Sequence, residues 1–577
     1  MAGSAKQGHR VVGRRGWRGG LLVAGGFLVL SACASEEEAA VDATADEEVE
    51  AAPSDEAAVS DEGEALEPGG TLTFAVADQA DCMDPHQTTF VASRRVLRQL
   101  YDNLVIRDAD GTFQPWLATD WEISDDGTVY TFELRDDVTF HDGTPLNAEA
   151  VKFTFDRAVD PETRSPRAAQ LMRPYESSEV VDEYTVEVTL QEPFAPFLEV
   201  VSTEFLAILS PDAYQESIDD VDYCNQATGS GPFVFVERQE GSHVTLERNE
   251  DYAWGPPTAD NQNAPHIDRL IVQFVPEGSV REGLLQSGEA QLVEGISPEV
   301  AAELQPQDDF RILTPSQPGV GYHVALNESR EPWDELDMRR AFFMALDVEG
   351  LVEALYYGFY PRAWGILTPA TLGYHDGLEG AIAYDLEAAS QVLEDAGWVF
   401  ADGEEYRSKD GQPLTASFLL QEGNLERRTD MAVFMQEQLR EVGIDLELEP
   451  LAQASWISAY QDANYDVFAH NVVEGDPDIL GQVFATDRIS TEESLGFNAG
   501  HFSDPEVDEL LQEGFVTADE DARRAIYREI QERIIDRAGA LPIYYSTYIV
   551  GQRVEDLAGL ELDANTFPVF YDASLSQ

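Results

Sequence analysis

Three carboxylates, Glu474, Asp476 and Asp478, stand at alternate positions around a Gly-Asp-Pro turn that ends the apolar run YDVFAHNVV. Acids spaced in this way can ligate a metal ion, act as an acid–base pair, or meet a cationic ligand. The same spacing also suits a polar stop at the end of a strand. Nothing else in the chain carries a signature of covalent chemistry. H-E-x-x-H, the P-loop and paired C-x-x-C are missing from the sequence. TGSGPF (Thr228–Phe233) sets a serine between glycines, but it lacks the G-x-S-x-G pattern of a nucleophile elbow. The histidines are scattered, none at ligand spacing on a helix. A binder that needs no cofactor is therefore expected, rather than an enzyme.

The elements that must position these acids alternate between strand and helix. TLTFAV, TVYTFEL and YTVEVTL have the period-two pattern of half-buried strands, and GPFVFVERQEGSHVTLERN reads as a hairpin. IDRLIVQFV is another strand. DLEAASQVLEDAG begins with a capping Asp385 and stops at Gly397, as an amphipathic helix should. RRTDMAVFMQEQLREVG is a second helix, and the strand IDLELEPL follows it directly. ADEDARRAIYREIQERIIDRAG is a third, leading into LPIYYSTYIV as one strand. These helix–strand units describe an α/β fold. Arg427 and Arg428 open the second helix and read as surface residues.

At 577 residues the chain exceeds one compact core. It holds 36 Lys+Arg against 110 Asp+Glu, a formal net charge of −74, which repels nucleic acid and anionic lipid. The N-terminus differs from the rest: a basic stretch without acids precedes the apolar run LLVAGGFLVL and then LSAC. This is the order of an export signal. The ending resembles a bacterial lipobox, which implies cleavage before Cys33 and lipid on its thiol. Arg14-Arg15 is too short a pattern to distinguish twin-arginine from general export. Residues 34–68 lack Lys, Arg and aromatic residues and read as an acidic disordered tether. Cys82 and Cys224 remain, either as two buried thiols or, as export favours, as one disulfide.

The longer phrases resemble one family. DCMDPHQTTF, the run from YDNLVIRDADGTF to FTFDRAVDP, GSGPF, LERNEDYAW, GYHVALN, AYDLEAASQVLEDAGW and LPIYY occur in order. In that order they resemble the extracellular solute-binding proteins of family 5, the peptide-, oligopeptide- and nickel-binding components of ABC importers. The resemblance implies a periplasmic-binding-protein-like clamshell of two lobes with an extra domain on lobe I. It places the signal peptide at 1–32, the tether at 33–68, lobe I at 69–110, 221–320 and 541–577, the extra domain at 111–220, and lobe II at 321–540. It implies a monomer outside the cytoplasmic membrane. A peptide-like or other small polar solute would be captured between the lobes and delivered to permease subunits. A ligand sensor or scaffold on the same fold, or a receptor for an oligosaccharide or metal chelate, is the alternative.

The positions matching the family's cleft are Phe90, Tyr322, His323, Trp364, Trp456, Asn471, Glu474 and Asp476. Peptide-binding members carry an aspartate four residues before the proline of the acidic turn, where it meets the peptide's amine. Here that position is Val473, and Ala469-His470 replaces the usual Gly-Trp. Recognition of a free peptide amine is therefore not expected from that position.

Overall fold

The computed structural model describes residues 69–576, apart from 109–110, 218–222, 423–424 and 492–495. The export signal, Cys33 and the tether lie outside the described residues.

Two sheets organise the chain. The first has seven strands, in the order Phe310–Leu313, Val550–Arg553, Leu292–Glu294, Thr71–Val76, Arg269–Phe274, His243–Arg248 and Phe233–Gln239. The second has five: Asp445–Leu451, Thr415–Gln421, Val467–Val473, Gly319–Leu326 and Leu541–Tyr544. A separate antiparallel sheet of Ala118–Ile123, Val129–Leu134, Thr185–Leu190 and Tyr175–Asp182 carries the helix Ala148–Val159. It lies within residues 111–220, the stretch expected to be the extra domain, and is called so below; the parts of the chain that build the seven-stranded and the five-stranded sheets are called the first and the second half. The core of the extra domain extends without a break into Tyr252, Trp254 and Tyr571 of the first half.

LPIYYSTYIV, expected to be one strand, is two. Leu541–Tyr544 pairs with Gly319–Leu326 in the second sheet, while Val550–Arg553 pairs with Leu292–Glu294 and Phe310–Leu313 in the first. Leu541–Tyr544 thus leaves the sheet to which the boundary at 541 would assign it. The break has a physical cause, because the segment between the two strands crosses from one sheet to the other beside a second crossing segment. Ser316 and Thr547 form an antiparallel bridge. Gln317 N–H donates to Ser546 O at 2.9 Å, and Tyr548 N–H donates to Pro315 O at 3.1 Å. Two short antiparallel crossings are a natural hinge, since a few residues can absorb the change in φ and ψ.

The helix after Asp385 begins where its cap predicts, and a second aspartate caps the helix Glu520–Asp536. Asp385 accepts from Ala388 N–H at 2.9 Å, and Asp519 accepts from Ala522 N–H at 2.9 Å. Cys82 and Cys224 are joined, tying the loop after the first strand to residues 142 positions away.

Candidate functional site

The strand Val467–Val473 lies inside the second sheet, flanked by Gly319–Leu326 and Thr415–Gln421. Its last residues face two different environments. His470 pairs with His323 across the sheet, and their rings lie 4.6 Å apart beside Phe484 and Phe468. Burial lowers the pKa of His323 to about 4, so the ring is neutral and acts as core. Asn471 instead points to the hinge. It accepts from Arg428 Nη2 at 2.8 Å and donates to Ser546 Oγ at 2.8 Å.

Arg428, expected at the surface, is only partly exposed. Its guanidinium lies 4.6 Å above the Tyr322 ring and pairs with Glu426 at 2.7 Å. Tyr544 stacks on Tyr322 at 4.8 Å and donates to Glu426 Oε2 at 2.9 Å. Tyr322, expected at the cleft, is buried within this cluster at the root of the hinge. Arg427 crosses instead to Glu299 of the first half.

Beyond Val473 the chain enters the acidic turn, and the turn meets the extra domain. Glu474 pairs with Arg167 at 2.5 Å. Asp476 accepts two hydrogen bonds from Arg523, at 2.6 and 2.7 Å. The charges of both acids are therefore opposed within the chain. Between them Gly475 lies against Glu199 and Arg107: a β-carbon there would fall 2.0 Å from Glu199 Oε1 and 2.7 Å from Arg107 Nη2. Phe515 enters the extra-domain core, and its carbonyl accepts from Ala195 N–H at 3.1 Å. The extra domain and the second half are thus closed on each other.

Two cavities flank the turn. One, about 430 Å³, is walled by Phe194, Phe515, Arg173, Asp478 and Glu199 among others. The other, about 540 Å³, is more aromatic, with Phe113, Trp121, Tyr130 and Arg107 on one side and Pro369, Leu372 and Arg523 on the other. Glu199 and Asp476 belong to both walls. Burial pushes Asp478 up to about 7; Asp476 adds to the shift, while Arg523 and Arg173 oppose it. Arg173 lies 5.3 Å over the Phe515 ring. Among the described residues, neither Arg173 nor Asp478 takes part in a side-chain ion pair.

Of the residues expected at the cleft, Glu474 and Asp476 line the first cavity, and Tyr322 and Asn471 meet at the hinge. Trp456 packs on Tyr460 and Phe468, and Trp364 lies under Arg362 at 4.3 Å. Phe90 is exposed beside Asp78 and Arg95. Arg173, Glu199 and Asp478, which wall the first cavity, are not among the positions that match the family's cleft. Only Asp478 had a local signal, as the third acid of the turn.

Residues 112–486 match the model of bacterial extracellular solute-binding proteins, family 5 Middle. The nickel-binding periplasmic protein of Escherichia coli K12 is 28% identical over 462 residues, covering 79% of this chain and 85% of that protein. The structure of NikA from Brucella suis with Fe(III)-EDTA superposes with a TM-score of 0.77 at 26% identity, covering 88% of this chain and all of that one. DppA from Helicobacter pylori with the peptide STSA gives 0.72 at 26%, covering 89% and 99%. With the family model spanning most of the folded body, the chain belongs to the bacterial extracellular solute-binding proteins of family 5, the solute-binding components of ABC importers.

Proposed function

We propose that the solute carries both a cationic and an anionic group and is held in the cavity of about 430 Å³ beside the acidic turn. The observation that carries this reading is that Arg173 and Asp478, which form no ion pair among the described residues, share one cavity whose other ionic side chains include the paired Glu474, Asp476 and Glu199; the Asp478 side chain accepts only from Tyr527 OH, at 3.4 Å. Arg173 would take a carboxylate, Asp478 an ammonium group, and Phe194 and Phe515 the apolar part. Asp478 would serve in place of the aspartate that Val473 replaces. Relatives named for glutathione and for a peptide make a compact zwitterion a reasonable cargo. Native mass spectrometry of the purified chain should show one small molecule per protein, with amine and acid groups. A neutral glycan or a bare metal ion at that stoichiometry would overturn the assignment.

Delivery follows from shape. A solute that touches both the extra domain and the second half favours the closed form, and membrane permease subunits would recognise that form. The chain would act as a monomer, held at the outer face of the cytoplasmic membrane by lipid on Cys33, the position that the lipobox-like LSAC marks. Cys33→Ala should release the protein into the soluble fraction; retention in the membrane fraction would contradict lipid anchoring.

A further inference from the structure

Glu199 sits where the extra domain meets the acidic turn, on the short helix Phe197–Ser202. It is 4% exposed. Its Oε2 lies 3.2 Å from Arg107 Nε, but Oε1 is buried with no hydrogen-bond partner. Across the seam, Oε1 is pressed against Gly475, near enough that a β-carbon there would lie 2.0 Å away. Arg107 and Arg94 face Glu199 from its own side, and Glu474 and Asp476 from the other. Those two acids hold Arg167 and Arg523, and Arg94 is held by Glu204. Asp478 and Arg173 stand further along the same cavity wall. Closing the seam therefore strips water from a carboxylate oxygen, gives it no donor, and brings two more carboxylates towards it. A buried, unsatisfied charge of this kind is costly, and a neutral carboxyl is much less so.

We propose that Glu199 takes up a proton from solvent when the extra domain and the second half close, so that solute capture is coupled to proton uptake at this seam. The proposal rests on the capture reading above. In the closed structure, burial pushes Glu199 up to about 7; Arg107 opposes the shift, and Glu474 and Asp476 add to it. With the halves apart, Glu199 regains water and the ordinary carboxylate range. Because the closed form has the raised pKa, it binds the proton more tightly. The proton's contribution to closure is fully present below the ordinary carboxylate range and is lost as the pH rises through about 7.

The test uses the full solute-free chain, with azide-bearing residues replacing exposed Val181 and Tyr384 so that two fluorophores report the separation of the extra domain from the second half. Between pH 6 and pH 8 the closed-to-open ratio should fall by at least about fivefold. Glu199→Gln should stay closed and flat across that range. Glu474→Gln, which removes one facing charge, should keep the pH dependence with a lower midpoint, and it carries the test if Glu199→Gln does not fold. An unchanged ratio in the wild type, or the same pH dependence in Glu199→Gln, overturns proton coupling. If solute binding by the same samples remains one to one, only the coupling has failed; if binding is lost as well, the capture reading fails with it.

Discussion

Replacing Gly475 by leucine is expected to hold the extra domain and the second half apart and to weaken solute binding by about a hundredfold. The reason is local. In the closed structure the space for a β-carbon at Gly475 is already filled by the Glu199 carboxylate and the Arg107 guanidinium. Gly475 does not have a positive φ, so backbone strain does not enter, and the clash comes wholly from the opposite side of the seam. Alanine asks only the ends of the Glu199 and Arg107 side chains to move and should cost less. Leucine adds atoms that the ion pair of Arg107 with Glu199, at 3.2 Å, cannot admit while closed. The fold of each half should survive, because the turn's own bonds, such as Asp478 N–H to Asp476 Oδ1 at 2.8 Å, do not involve the missing β-carbon. Small-angle scattering should show an expanded particle, with thermal unfolding little changed. Wild-type affinity in the leucine variant would contradict closure at this seam.

The second large effect concerns stability. Asp102 is completely buried where the extra domain joins the first half. It accepts from Ser230 Oγ at 2.9 Å, Trp254 Nε1 at 3.0 Å and Tyr252 OH at 3.3 Å. Burial pushes its pKa up to about 6, against the pull of these three donors and of Arg98. Asp102→Ala leaves the Ser230 and Tyr252 hydroxyls without this acceptor, and Trp254 with only the Ser230 carbonyl at 2.9 Å. Unmet buried donors cost about 1–3 kcal/mol each, so a loss of about 3–4 kcal/mol is expected, read as a lower urea midpoint. A loss under about 1 kcal/mol would mean that water replaces the carboxylate.

The local elements were legible because their causes are local. Asp385 and Asp519 cap helices through neighbouring N–H groups, and the alternation in Val129–Leu134 follows from one buried face. The acidic turn was also legible as a special place, and the ordered family phrases identified the body to which it belongs. What could not be read was which charges would meet. Glu474 finds Arg167 across 307 positions, and Gly475 is pressed against Glu199. No periodicity encodes such pairings, so the two turn acids looked available for a ligand although the fold had already opposed them. Arg428 misled for a related reason: its place at a helix start favours solvent, and only the stacked Tyr322 and Tyr544 turn it inward. LPIYYSTYIV reads as one strand because it is apolar and buried almost throughout, and the crossing between its two strands has no pattern of its own.

Arg173 and Asp478 are proposed to hold a zwitterionic solute between the extra domain and the second half. The most direct measurement is an equilibrium titration of the co-purifying solute, once identified, against the wild type, Arg173→Ala and Asp478→Asn. One-to-one binding is predicted, weakened at least tenfold by each substitution, about 1.4 kcal/mol or more. Unchanged affinity in both variants would contradict the account.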